Sequence, residues 1–150
     1  MTEGQYKRVE NAFDAAFTRM CEAESVSELE SELSNVLNQL YRLRELARKR
    51  FGDSRYYELV KGSNGLRIIR AIVWARKFDV HDTVVMAELS DMYTNYYTEM
   101  YGVLAWKPLS LLPEQTDNYD RHLDYISTLE NRPVLDTTKD AFTILKELIE

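Results

Sequence analysis

The chain has 150 residues, 45% of them hydrophobic and 29% charged, with a formal net charge of −6. That size and balance fit one globular domain over 1–150 and exclude a disordered or fibrous chain. A single cysteine, Cys21, excludes an intrachain disulfide and a thiolate metal site, and with only two histidines no metal and no cofactor is expected.

Tyr6, Val9, Phe13, Ala16 and Met20 recur at steps of three and four, which predicts an amphipathic helix from about residue 4 to 23. The following "ESVSELESEL" holds two capping-box spacings, Ser25 with Glu28 and Ser27 with Glu30. A second helix then carries Leu29, Leu33, Val36, Leu40, Leu43 and Ala47 on one face. Two such helices with a short joint predict an antiparallel hairpin. "FGDSRYY" is expected to be a turn, and "KGSNG" a second break.

From Leu66 the pattern is helical again, with Leu66, Ile69, Ile72 and Val73 inward and Arg67, Arg70, Trp74 and Lys77 near another face. This helix is expected to stop near Phe78, where Asp79 and Asp82 offer a carboxylate cap for a new one. Val85, Leu89, Met92, Tyr96 and Met100 would line that next helix. "YGVLAWKPLSLLPEQ" is β-prone and then proline-interrupted, so a short extended segment is expected near 101–107. Two acidic helices, about 117–129 and 136–149, complete the expectation, the last capped by Asp136 or Thr137. The fold class is therefore mainly α: an antiparallel helical hairpin plus further helices in a bundle.

Apolar runs such as "IVWA" and "YGVLAW" fall far short of the ~20 residues that span a bilayer, so no membrane association is expected. The polar start "MTEGQYKRVENAFD" is not of signal-peptide type, and a cytoplasmic location is the expectation. Charge is unevenly distributed. Between Arg42 and Lys77 stand eleven Lys or Arg against Glu45, Asp53 and Glu58. Such a stretch either solvates two helices or makes a basic face on an acidic body, through which RNA could dock.

Chemistry-bearing motifs are few. Asp120 and Asp124, one turn apart, have the spacing of a solvated helix face, and His122 of a surface residue. The tyrosines at 93, 96, 97 and 101 have the spacing of a core or an interface. Arg76 and His81 are different. On one unbroken helix they would point about 140° apart, but a break after Phe78 lets them face a common space. A guanidinium clamps a phosphate bidentately, and an imidazole moves protons near neutrality, so the pair suits phosphodiester cleavage. Arg67, Arg70 and Lys77 would grip the RNA phosphates.

A bundle with Arg-x4-His at such a junction resembles the HEPN superfamily of small helical proteins, which includes many RNA-cleaving toxins and phage-defence nucleases. "GLRIIRAIVWARKFDVHD", "AWKPLSLLP" and "YISTLENRPVLDT" also resemble stretches of actinobacterial and actinobacteriophage proteins, so that the likeness covers roughly residues 58 to 140. The resemblance implies a homodimer with Arg76 and His81 in an active site at the interface. Lys77 departs from it, standing where active HEPN ribonucleases commonly carry Asn, Asp or His. Two functions follow as expectations. One is a noncatalytic interaction protein that binds a protein partner, with Arg76 paired structurally to Asp79, Asp82 or a C-terminal acid. The other is a metal-independent endoribonuclease using Arg76 and His81.

Overall fold

In a computed structural model, the described residues are 3–61, 64–76, 85–86, 105–107, 109–112 and 119–149. Helix α1 (Glu3–Cys21) buries Val9, Phe13, Ala16 and Met20, the stripe its 3–4 spacing requires. Ser25 caps α2 (Val26–Phe51): its hydroxyl accepts the Glu28 amide at 3.1 Å. The reciprocal arm is displaced by one residue, since the Glu28 carboxylate accepts from the amide of Glu24 at 3.0 Å. The joint thus satisfies two orphan donors in the space of one turn, which lets the chain reverse tightly. Leu33, Val36, Leu37, Leu43 and Ala47 of α2 are essentially inaccessible to solvent. Ion pairing of Arg19 with Glu32 at 3.1 Å ties the closed end of the antiparallel hairpin.

Gly52 ends α2 at a φ of 79°, a region open to glycine at little cost. Helix α3 (Asp53–Lys61) begins at the next residue, so "FGDSRYY" is a one-residue break followed by a helix, not an extended turn. Its Tyr56 and Val60 pack into the core, four residues apart on one face. A 3-10 turn at Asn64–Leu66 leads into α4 (Arg67–Ala75). This helix is buried nearly all round: Ile68, Ile69, Ala71, Ile72, Trp74 and Ala75 are inside. Trp74, seven residues after Arg67 and so on the same face, is buried where Arg67 is exposed.

Val85–Met86 forms a strand, β1, paired antiparallel with β2 (Ala105–Trp106) in the register Val85 opposite Trp106. Val85 therefore does not lie on the helix expected to follow Asp79, because its backbone groups serve the ladder. The rest of that expected helix, with the four tyrosines, lies outside the described residues. β2 does occupy the extended segment expected near 101–107 and is fully buried. It is fastened to the turn between the last two helices, where the Trp106 amide donates to Arg132 O and Asn131 N donates to Trp106 O. Asn131 has a φ of 61°, a conformation that an Asx side chain tolerates.

Helix α5 (Tyr119–Thr128) packs on α4, and α6 (Val134–Ile149) packs on α2. Phe142 of α6 stacks on Phe13 of α1 with ring centroids 4.0 Å apart. Thr137 is not the cap of α6, which starts three residues earlier at Val134. Instead its buried hydroxyl accepts the Trp106 indole N–H at 2.8 Å and donates back to the carbonyl oxygens of Pro133 and Val134. One threonine thereby joins strand to helix. No described helix is long and apolar enough to cross a membrane.

Candidate functional site

Arg76 stands at the end of α4, its amide still donating to Ile72 O at 2.9 Å while the helix proper stops at Ala75. The helix thus ends slightly earlier than the Phe78 expected. An exposed guanidinium at this point swings onto α2. Its Cζ lies 4.2 Å from the ring centroid of Tyr41, and its Nε–H donates to Asn38 Oδ1 at 3.2 Å. Asn38 and Tyr41 are three apart on α2 and so form one small platform. The arginine is satisfied by an aromatic face and an amide oxygen, with no described acid needed. His81, Lys77, Asp79 and Asp82 lie outside the described residues.

Arg67 and Arg70 go elsewhere. Spaced by three on α4, they project toward α5, where Asp124 is only 3% exposed. Arg70 Nη2 approaches Asp124 Oδ2 at 2.9 Å, and Arg67 Nε lies 3.9 Å from Oδ1. From α5 itself, Arg121 Nη1 comes to 3.5 Å of Oδ2. Asp124 is therefore no part of a solvated face. Three guanidiniums from two helices compensate one carboxylate taken from water, which is the condition for leaving a charge inside at all. Its backbone oxygen also accepts from Thr128 Oγ1 at 2.6 Å, holding the last turn of α5.

Aromatic groups complete the α4–α5 seam. Trp74 meets Tyr125 edge-on at 5.6 Å and His122 at 5.4 Å, so His122 is half-buried against a ring rather than free on the surface. Tyr125 donates to Lys107 O at 2.6 Å, and burial first, with Glu130 second, pushes its phenol well above the ordinary range. Its folded-state value exceeds the unfolded value of about 10, so the folded state retains the proton longer and stability falls as pH rises above about 10. A melting series from neutrality into that range should show the decline. Tyr125→Phe should flatten it.

The sequence singles out Arg67, Arg70 and Arg76 but not what they touch, Asp124, Asn38 and Tyr41, nor Arg121 as a third partner of Asp124. Arg121 and Asp124 at i, i+3 on a helix were the one local signal, and nothing local announced the arginines of α4 opposite them. Among the described residues no cluster of His, Cys, Asp or Glu could hold a metal ion. Comparison with known proteins finds no matching family model, no matching curated protein and no matching solved structure.

Proposed function

We propose that the chain is a noncatalytic helical interaction protein of HEPN-like fold, homodimeric, that binds a protein partner. One observation carries this reading: the Arg76 guanidinium is spent on Tyr41 and Asn38, fastening α4 to α2. Arg67 and Arg70 are spent likewise on Asp124. Basic side chains that a nuclease would aim at phosphate here bind the protein to itself. Lys77 supports the reading too, since it cannot accept a hydrogen bond from the arginine or imidazole. A cytoplasmic setting fits the exposed, unpaired thiol of Cys21.

A second reading, the metal-independent ribonuclease with His81 as acid and base and Arg76 as phosphate clamp, keeps one observation in its favour. Helix α4 ends beside Arg76 and leaves that side chain exposed. Three measurements separate the two. For the interaction protein, Arg76→Ala lowers the thermal midpoint by an amount worth about 1–2 kcal/mol, the sum of a cation–π contact and a hydrogen bond. His81→Ala leaves it unchanged, and purified protein does not cleave RNA. Cleavage abolished by His81→Ala at an unaltered midpoint would establish the enzyme instead. Light scattering at micromolar concentration should give twice the chain mass, and a single-chain mass would remove the homodimer.

A further inference from the structure

The basic stretch from Arg42 onward divides once its partners are known. Arg44 Nη1 pairs with Glu45 at 2.7 Å, and Arg48 bridges Glu45 at 3.1 Å and Asp53 at 2.9 Å. Hydrogen bonds to Asp53 and then Glu45 hold the Arg48 guanidinium charged beyond its ordinary range. Arg67, Arg70 and Arg76 are committed as described above. Arg42 and Lys49 are not. Among the described residues Arg42 donates only to the neutral Gln39 side chain, at 3.3 Å, and Lys49 has no ion pair.

These two lie seven residues apart on α2, hence on one face, and that face borders a groove of about 330 Å³ against α1. Arg8 of α1 lines the opposite wall; among the described residues its one hydrogen bond, at 3.4 Å, goes to Gly4 O of its own helix. Val9 and Leu46 supply an apolar floor. Glu45 is the groove's single acid among the described residues, and its Oε1 is already occupied by Arg44 and Arg48. What remains is a concave site with three cations and an apolar base, whose described acid is already shared by two other arginines. Uncompensated like charges in one groove repel, and a multivalent anion removes that repulsion.

We infer that this α1–α2 groove binds a small organic phosphate: a phosphate group held by Arg8, Arg42 and Lys49, with a flat or apolar body over Val9 and Leu46. A phosphate carries −1.5 to −2 charges near neutrality and accepts from several donors at once, which matches three convergent cations. The volume lies at the lower end of small-ligand sites, about 300–1,000 Å³, and admits a body of one-nucleotide size. This site is independent of the Arg76 region and stands or falls separately from the function proposed above.

The test is calorimetric titration of the full chain with adenosine 5′-monophosphate, alongside adenosine, inorganic phosphate and a short single-stranded RNA. Expected are saturable binding of the nucleotide that weakens with added salt, weaker binding of phosphate, and none of adenosine. Arg42→Gln and Lys49→Gln should each weaken nucleotide binding about tenfold, the scale of one lost charge-assisted contact. Both side chains are exposed, so melting points should not move, and Lys139→Gln, an exposed lysine on α6, should leave affinity intact. No saturable nucleotide binding would overturn the inference. So would nucleotide binding indifferent to both variants, or binding confined to the RNA.

Discussion

Replacing Asp124 by Asn is expected to destabilise the domain by about 2–3 kcal/mol, lowering the melting point by roughly 5–10 °C for a chain of this size. The carboxylate is only 3% exposed, yet the three guanidiniums around it differ widely in their access to water. The Arg67 side chain is 52% exposed and Arg121 32%, so both can recover hydration when the charge disappears. Arg70 is 21% exposed, and its Nε is buried without an acceptor, so it bears most of the loss. This asymmetry sets the expected effect below the 3–5 kcal/mol typical of a fully buried pair.

A double-mutant cycle locates the energy. Arg70→Met should cost most of what Asp124→Asn costs, and the pair together much less than the sum, because the second change removes a charge already orphaned. Arg67→Met should show little coupling, given its 3.9 Å separation and its exposure. Additive effects of Arg70 and Asp124 would show that the two are not partners in solution. Chemical denaturation at fixed pH provides the readout, with an unchanged slope as the check that the unfolding transition itself is the same.

The second large effect belongs to Trp106. Its side chain has no accessible surface, and its indole N–H is bonded to Thr137. Trp106→Ala should cost about 4 kcal/mol or more, the range for emptying a large aromatic site in a core. Against a total stability of 5–15 kcal/mol, that is enough to leave the domain poorly folded at physiological temperature. Trp106→Phe separates packing from polarity: it keeps most of the volume and loses the donor, so about 1–2 kcal/mol is expected. Because Trp106 also joins the β1–β2 ladder and the turn around Asn131, the alanine variant should loosen the α5–α6 turn first. Hydrogen exchange at Asn131 and Arg132 amides, whose partners are Trp106 O and Leu129 O, would reveal it. Exchange unchanged at both would show that β2 does not hold the turn.

The α1–α2 hairpin, its Ser25–Glu28 cap and the helical character of α4 and α6 were all present in the sequence. Each depends on contacts three or four residues apart, and those spacings are printed in the chain. Helix α3 escaped because Gly52-Asp53-Ser54 carries strong turn signals and the helix beyond buries only a short stripe, Tyr56 and Val60. The β1 strand escaped for a different reason: two residues at Val85–Met86 have no periodicity of their own, and their ladder partner lies far along the chain.

Side-chain partnership was the part that only the tertiary structure decided. An arginine carries the same local signature whether it waits for a phosphate or answers a buried acid on another helix. Packing α4 against α5 brought Arg67 and Arg70 to Asp124, and packing α4 against α2 brought Arg76 to Tyr41 and Asn38. The same packing of α1 on α2 set Arg42 and Lys49 across a groove from Arg8, with its lining acid Glu45 already paired to Arg44 and Arg48. Composition and periodicity determine which faces turn inward, because burial of apolar surface depends on local spacing. Which charges neutralise one another depends on distances of a few ångströms between separate helices, and those exist only after the helices have packed.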